Sequence, residues 1–138
     1  MLKERILQLT ADGSHTLFLP EINEHYHSVN GALQEALHVY INAGFNQCTK
    51  KSIRVLELGF GAGLNALLTA LESRKRGIGT FYVSYENDPL PAAIISQLNY
   101  SELDKELFQQ IHAAEWDKAV PLTPFFTLQK IKADFTVC

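Results

Sequence analysis

Residues 55–65 read Val-Leu-Glu-Leu-Gly-Phe-Gly-Ala-Gly-Leu-Asn, and the alternate glycines Gly59, Gly61 and Gly63 constrain the fold more than any other stretch. The apolar run before them has the character of a buried parallel strand and ends in an acid, Glu57. After them, Leu64, Leu67, Leu68 and Leu71 recur at helical spacing within a run reaching Arg76. Glycine lacks a Cβ, so the chain can turn sharply there and pass close to a ligand. Strand, glycine turn and helix in this order form the ligand-binding corner of a doubly wound α/β sheet.

Glycine spacing narrows the ligand. A dinucleotide fingerprint is G-x-G-x-x-G/A, and Leu64 stands where its third small residue belongs, so an NAD-linked oxidoreductase is a weak reading. No G-x-x-x-x-G-K-[ST] phosphate loop is present. Glu57-x-Gly59-x-Gly61-x-Gly63 instead resembles the first motif of class I S-adenosylmethionine-dependent methyltransferases. A ligand-free turn is the plainer alternative, but three glycines carry a stability cost that close backbone approach explains. Glu86 ends the next β-prone run, where an acid accepts hydrogen bonds from ribose hydroxyls. Asp134 ends a third run, in position for an adenine amino group.

At 138 residues one domain is expected, and 46% hydrophobic with 20% charged residues is a globular balance. No apolar run approaches the ~18 residues of a membrane span, and no apolar segment of a signal peptide follows Met1. Cys48 and Cys138 lack metal-ligand spacing and read as reduced thiols of a cytoplasmic protein. The formal net charge of −3 gives no overall attraction to nucleic acid. Basic groups at Lys50, Lys51 and Arg54, at Arg74, Lys75 and Arg76, and at Lys130 and Lys132 read as solvated faces. The histidines, His15, His25, His27, His38 and His112, form no metal pattern, and no nucleophile signature is present. Trp116 reads as a partly buried anchor, and Tyr82, Tyr85, Phe125 and Phe126 as core.

Along the chain, residues 5–10 and 15–19 flank Asp12-Gly13, a hairpin signal, and a polar segment at 21–30 follows. A helix is expected over 31–43, then strands over 53–58 and 80–85 around the helix at 64–76. Asp88-Pro89 predicts a helix start running to Leu98, and Ser101 another with Leu103, Leu107, Phe108 and Ile111 on one face. Pro121 and Pro124 mark a loop before a third strand over 125–133. The expected organisation is a hairpin and helix over 1–48 and the first half of a cofactor-binding sheet over 49–138.

Three stretches together resemble the MnmC-like methyltransferase family: Thr10-Ala-Asp-Gly-Ser-His-Thr-Leu-Phe, His25-Tyr-His-Ser-x-x-Gly-Ala-x-Gln-Glu, and Leu56-Glu-Leu-Gly-Phe-Gly-Ala-Gly-Leu-Asn-Ala-Leu-Leu-Thr. Tyr85-Glu86, Pro89-Leu90, Leu98-Asn99-Tyr100, Trp116 and Phe126-x-Leu-x-Lys130 extend the likeness over essentially the whole chain. The resemblance implies methylation by S-adenosylmethionine of the amine of 5-aminomethyl-2-thiouridine at the tRNA wobble position, with a separate FAD-dependent oxidase acting upstream. It implies that Glu57, Gly59, Gly61 and Gly63 hold the methionine end of the cofactor, Glu86 the ribose and Asp134 the adenine side, with Asn65 also among the cofactor-binding residues. Tyr26, His27 and Ser28 would border the cofactor or the entering base, with no metal. The family's reaction-centre aspartate, in a fourth-strand Asp-Ala-Phe-x-Pro motif, would lie beyond Cys138, so the sheet is expected to be incomplete and no catalytic residue is assigned. The alternative is an inactive fragment or pseudoenzyme that at most binds a cofactor or partner.

Overall fold

The computed structural model describes Ile6–Leu9, His15–Leu19, Glu24–His25, Ile41, Phe45 and residues 51–133. The first two segments, β1 (Ile6–Leu9) and β2 (His15–Leu19), form the expected antiparallel hairpin, with Ile6 opposite Phe18 and Leu9 opposite His15. Within the polar segment at 21–30, Glu24–His25 is a third short strand (β3) paired to β2. The expected turn at Asp12-Gly13, the helix over 31–43, Tyr26, His27, Ser28, Cys48, Asp134 and Cys138 lie outside the described residues.

The main sheet grows from the glycine corner. β4 (Ser52–Leu58) leads through it into helix α1 (Leu64–Arg76), and the chain returns as β5 (Gly79–Glu86), parallel to β4 with Glu57 opposite Ser84. Gly77 closes α1 at φ 66°, with its N–H and that of Ile78 bonded to the Ser73 carbonyl. β7 (Phe126–Lys132) then pairs in parallel with β5. The order β4-β5-β7 is the expected half of a doubly wound sheet.

Three local expectations fail for physical reasons. Asp88 does not cap a helix, because Pro91 forces the residue before it out of helical geometry; the Asp88 N–H donates to Glu86 Oε2 instead. Only a single turn, α2 (Ala92–Ile95), forms after Pro91. Ser101 lies in a 3₁₀ turn (Asn99–Glu102), and helix α3 (Lys105–Ala113) starts instead at Asp104, whose carboxylate accepts from the Leu107 N–H. Pro121 is no loop residue. It sits in β6 (Ala119–Thr123), an antiparallel strand at the sheet edge, where a missing N–H is tolerated and the register slips between Pro121 and Thr123.

Strand alternation sorts the two faces of the sheet. Tyr82, Phe126 and Leu128 are buried on the face beneath α1 and α3, together with Leu64, Leu67, Leu107 and Ile111. Leu56 and Leu58 point to the other face and are 67% and 64% exposed. Tyr85 also alternates to that face and is half-buried, and Phe125 lies in the turn before β7, largely exposed, so neither joins the core. The face covered by the helices also carries polar groups: Glu57, Ser84, Glu86 and Lys130 share it. Burying such groups requires partners, and those partners build the site.

Candidate functional site

The glycine turn is held to the end of β5 by its backbone. The N–H groups of Gly59 and Phe60 both donate to the Tyr85 carbonyl, at 2.8 and 3.1 Å. Gly59, Gly61 and Gly63 have φ of 98°, 57° and 82°, a region that side chains with a Cβ rarely adopt. At Gly63 space forbids a side chain as well: a Cβ would stand 3.0 Å from His112 Nε2 and 3.1 Å from the Phe60 ring. Gly63 also precedes α1 with no side-chain cap, and no acid occupies the first helical turn. The N-terminal end of α1 therefore meets the site as bare backbone with its positive dipole end.

Three side chains named from the sequence converge on this turn. Glu57 accepts from Ser84 Oγ at 2.6 Å and from Asn65 Nδ2 at 3.2 Å. Burial pushes its carboxyl up to about 7, against the hydrogen bonds from Ser84, Asn65 and Tyr82, and the nearby Glu86 carboxylate adds to the rise. Asn65 Oδ1 is buried and has no hydrogen-bond partner among the described residues. An orphan acceptor beside a carboxylate is a costly arrangement unless a donor arrives. Glu86 bonds the turn directly: Oε1 accepts from the Gly61 N–H at 2.8 Å and Oε2 from the Asp88 N–H at 3.0 Å. A carboxylate has about four acceptor positions, so each oxygen keeps capacity for a further donor. Of the remaining residues named from the sequence, Tyr26, His27, Ser28 and Asp134 are outside the described residues. No cluster of metal-ligating side chains occurs among those described.

The support beneath the turn was not assigned from the sequence. Phe60 points down from it into an aromatic group with His112 (ring centroids 5.5 Å apart) and Trp116 (6.0 Å). His112 Nε2 lies 2.9 Å from the Ala62 carbonyl, which makes Nε2 the protonated nitrogen. Burial pulls the ring down to about 4, and the Lys130 charge adds to that, despite the favourable bond to Ala62. Lys130, expected on a solvated face with Lys132, is 1% exposed instead. A lysine two positions from a strand end is solvated by default, and the strand period, which puts residue 130 in line with Phe126 and Leu128, hinted otherwise.

The parallel β4-β5-β7 order with a glycine corner after β4 defines a class I, Rossmann-like methyltransferase fold. In the solved structure of MnmC2 from Aquifex aeolicus the match has a TM-score of 0.70 and 26% identity, covering 96% of this chain and 43% of that one. No family model matches the chain. The tRNA 5-methylaminomethyl-2-thiouridine biosynthesis bifunctional protein MnmC of Cupriavidus necator is 31% identical over 110 residues, 75% of this chain and 17% of that protein. Sequence and fold together place the chain in the MnmC-like methyltransferase family. It spans less than half the length of either relative.

Proposed function

We propose that this chain supplies the S-adenosylmethionine-binding part of an N-methyltransferase acting on 5-aminomethyl-2-thiouridine at the tRNA wobble position. The observation that carries the cofactor reading is the buried, unpartnered Asn65 Oδ1 beside the Glu57 carboxylate. Two acceptors at the positive end of a helix suit an amino acid group, whose ammonium meets the acceptors and whose carboxylate meets the helix N-terminus. Glu57, Asn65 and the backbone of Gly59, Gly61 and Gly63 would hold the methionine end, and Glu86 the ribose hydroxyls through its remaining lone pairs. Asp134 would take the adenine side and Tyr26, His27 and Ser28 the rim, as the resemblance implies.

When bound, the cofactor supplies a methyl group on a sulfonium, ready for a neutral amine. The work of these residues is to fix its position and orientation, the main contribution a protein makes to such a transfer. The acceptor assignment draws support from the names of the relatives, while a cytoplasmic setting and a separate FAD-dependent oxidase acting upstream rest on the resemblance alone.

Calorimetry with S-adenosylmethionine and its demethylated product tests the cofactor step. Saturable binding that is lost in Asn65→Ala and Glu57→Ala is expected. No heat of binding from the folded chain would sink the assignment. Methylation of tRNA carrying the aminomethyl uridine tests the acceptor. Cofactor binding without any turnover favours a binding module over an enzyme.

A further inference from the structure

Lys130 is buried with an ammonium that has no carboxylate within ion-pair distance among the described residues. A lone buried charge is costly, so its surroundings must stabilise it. Its Nζ donates to the His112 carbonyl at 3.0 Å. That carbonyl belongs to the last turn of α3, where backbone acceptors lack helical partners and the dipole is negative. The Trp116 ring lies 4.8 Å from Nζ and the Phe60 ring 5.5 Å, so two π faces share the charge. Trp116 is fixed over Lys130 by a backbone bridge, and the next residue, Asp117, takes an unusual φ of 61° while donating to the Lys130 carbonyl at 2.6 Å.

Each group that Lys130 touches leads to the glycine turn. Phe60 is part of it. His112, whose carbonyl Lys130 holds, presses its ring against Gly63 and bonds Ala62. Gly63 in turn donates to the Phe60 carbonyl at 3.1 Å. The strand β7, the end of α3 and the turn are thus joined at one ammonium.

We propose that Lys130 is a positioning residue for the cofactor turn: its ammonium, held between Phe60, Trp116 and the His112 carbonyl, keeps the Phe60–Gly63 turn in its ligand-ready conformation. This inference rests on the proposed cofactor reading for its purpose, while its geometry is independent of it. The ammonium matters twice, because an apolar chain of the same length would fill the space, leave the helix-end carbonyl unpaired and present no charge to the two rings.

The test is amide exchange by NMR on the whole 138-residue chain, in Lys130→Met and in Leu128→Ala as a control that loosens the core generally. In Lys130→Met, exchange at the Gly61 and Gly63 amides and at His112 Nε2–H is expected to rise about tenfold relative to Tyr82 and Leu128. In Leu128→Ala all of them rise together. Affinity for S-adenosylhomocysteine is expected to fall about tenfold in Lys130→Met, against a smaller loss in the control. If Lys130→Met fails to fold, Trp116→Leu keeps the lysine, removes one π face and is expected to give the same selective pattern more weakly. A uniform change in either variant, with unaltered affinity, overturns the inference. Selective exchange in a chain that binds no S-adenosylhomocysteine upholds the positioning role and removes the cofactor reading instead.

Discussion

Glu57 and His112 pull the stability of the fold in opposite directions with pH. Glu57 holds its proton up to about 7 in the folded chain against 4.5 ordinarily, so its contribution is complete below 4.5 and is lost as pH rises through 7. His112 is held down to about 4 against 6.5, so its contribution is complete above 6.5 and is lost as pH falls through 4. Between 4.5 and 6.5 the two slopes oppose, and urea unfolding of the native chain should show little pH dependence from them. Glu57→Gln removes one slope and should expose a stability that rises with pH over this range. At pH 8 that variant should be more stable than the parent by about 1–3 kcal/mol, yet bind S-adenosylhomocysteine at least about tenfold more weakly. The glycines differ from one another in the same physical terms. Gly59→Ala meets open space and bears only its positive φ, at about 1–2 kcal/mol. Gly63→Ala adds contact with His112 and Phe60, and thermal melts should rank it the more damaging.

At the scale of elements, α3 is where local sequence signals and tertiary demands diverge most. Asp104 caps it and also meets Arg74 at 3.0 Å, joining the start of α3 to the end of α1. The Leu107 N–H, with Arg74 second, holds the Asp104 carboxyl below the usual range, so this support is present above that range and fades as pH drops through the lowered value. Asp104→Ala should cost about 1–2 kcal/mol through the lost cap. Arg74→Ala, at a half-exposed pair, should cost no more than about 0.5 kcal/mol by chemical denaturation. The β4-α1-β5 corner was legible because its signals are local: an apolar run, alternate glycines, a helical period and a closing Gly77. Glu57 from that corner, Glu86 from the end of the next strand and Asn65 from the family resemblance do meet at the turn. Pro121 hid β6, since an edge position that forgives proline is set by the sheet and not by neighbours in sequence. The burial of Lys130 was hard to read for a related reason: its stabilising groups come from distant parts of the chain, Phe60 from the glycine turn and the His112 carbonyl and Trp116 from the end of α3 and the segment after it.

For the molecule as a whole, the two faces of the sheet are unequal. One is packed under α1 and α3, while the other presents Leu56 and Leu58 to solvent. Replacing both with lysine should change stability by no more than about 0.5 kcal/mol per site and reduce self-association in sedimentation velocity, because it breaks an apolar patch. The edges of the sheet are unequal too. β6 closes one side with Pro121 and a slipped register, features that discourage another strand, whereas β4 is the outermost described strand on the other. Among the described strands, a newcomer to this sheet has one berth. That berth lies along the strand that carries Glu57 and runs straight into Gly59, so whatever docks there becomes a wall of the glycine corner and can register, by its presence, whether the corner is enclosed.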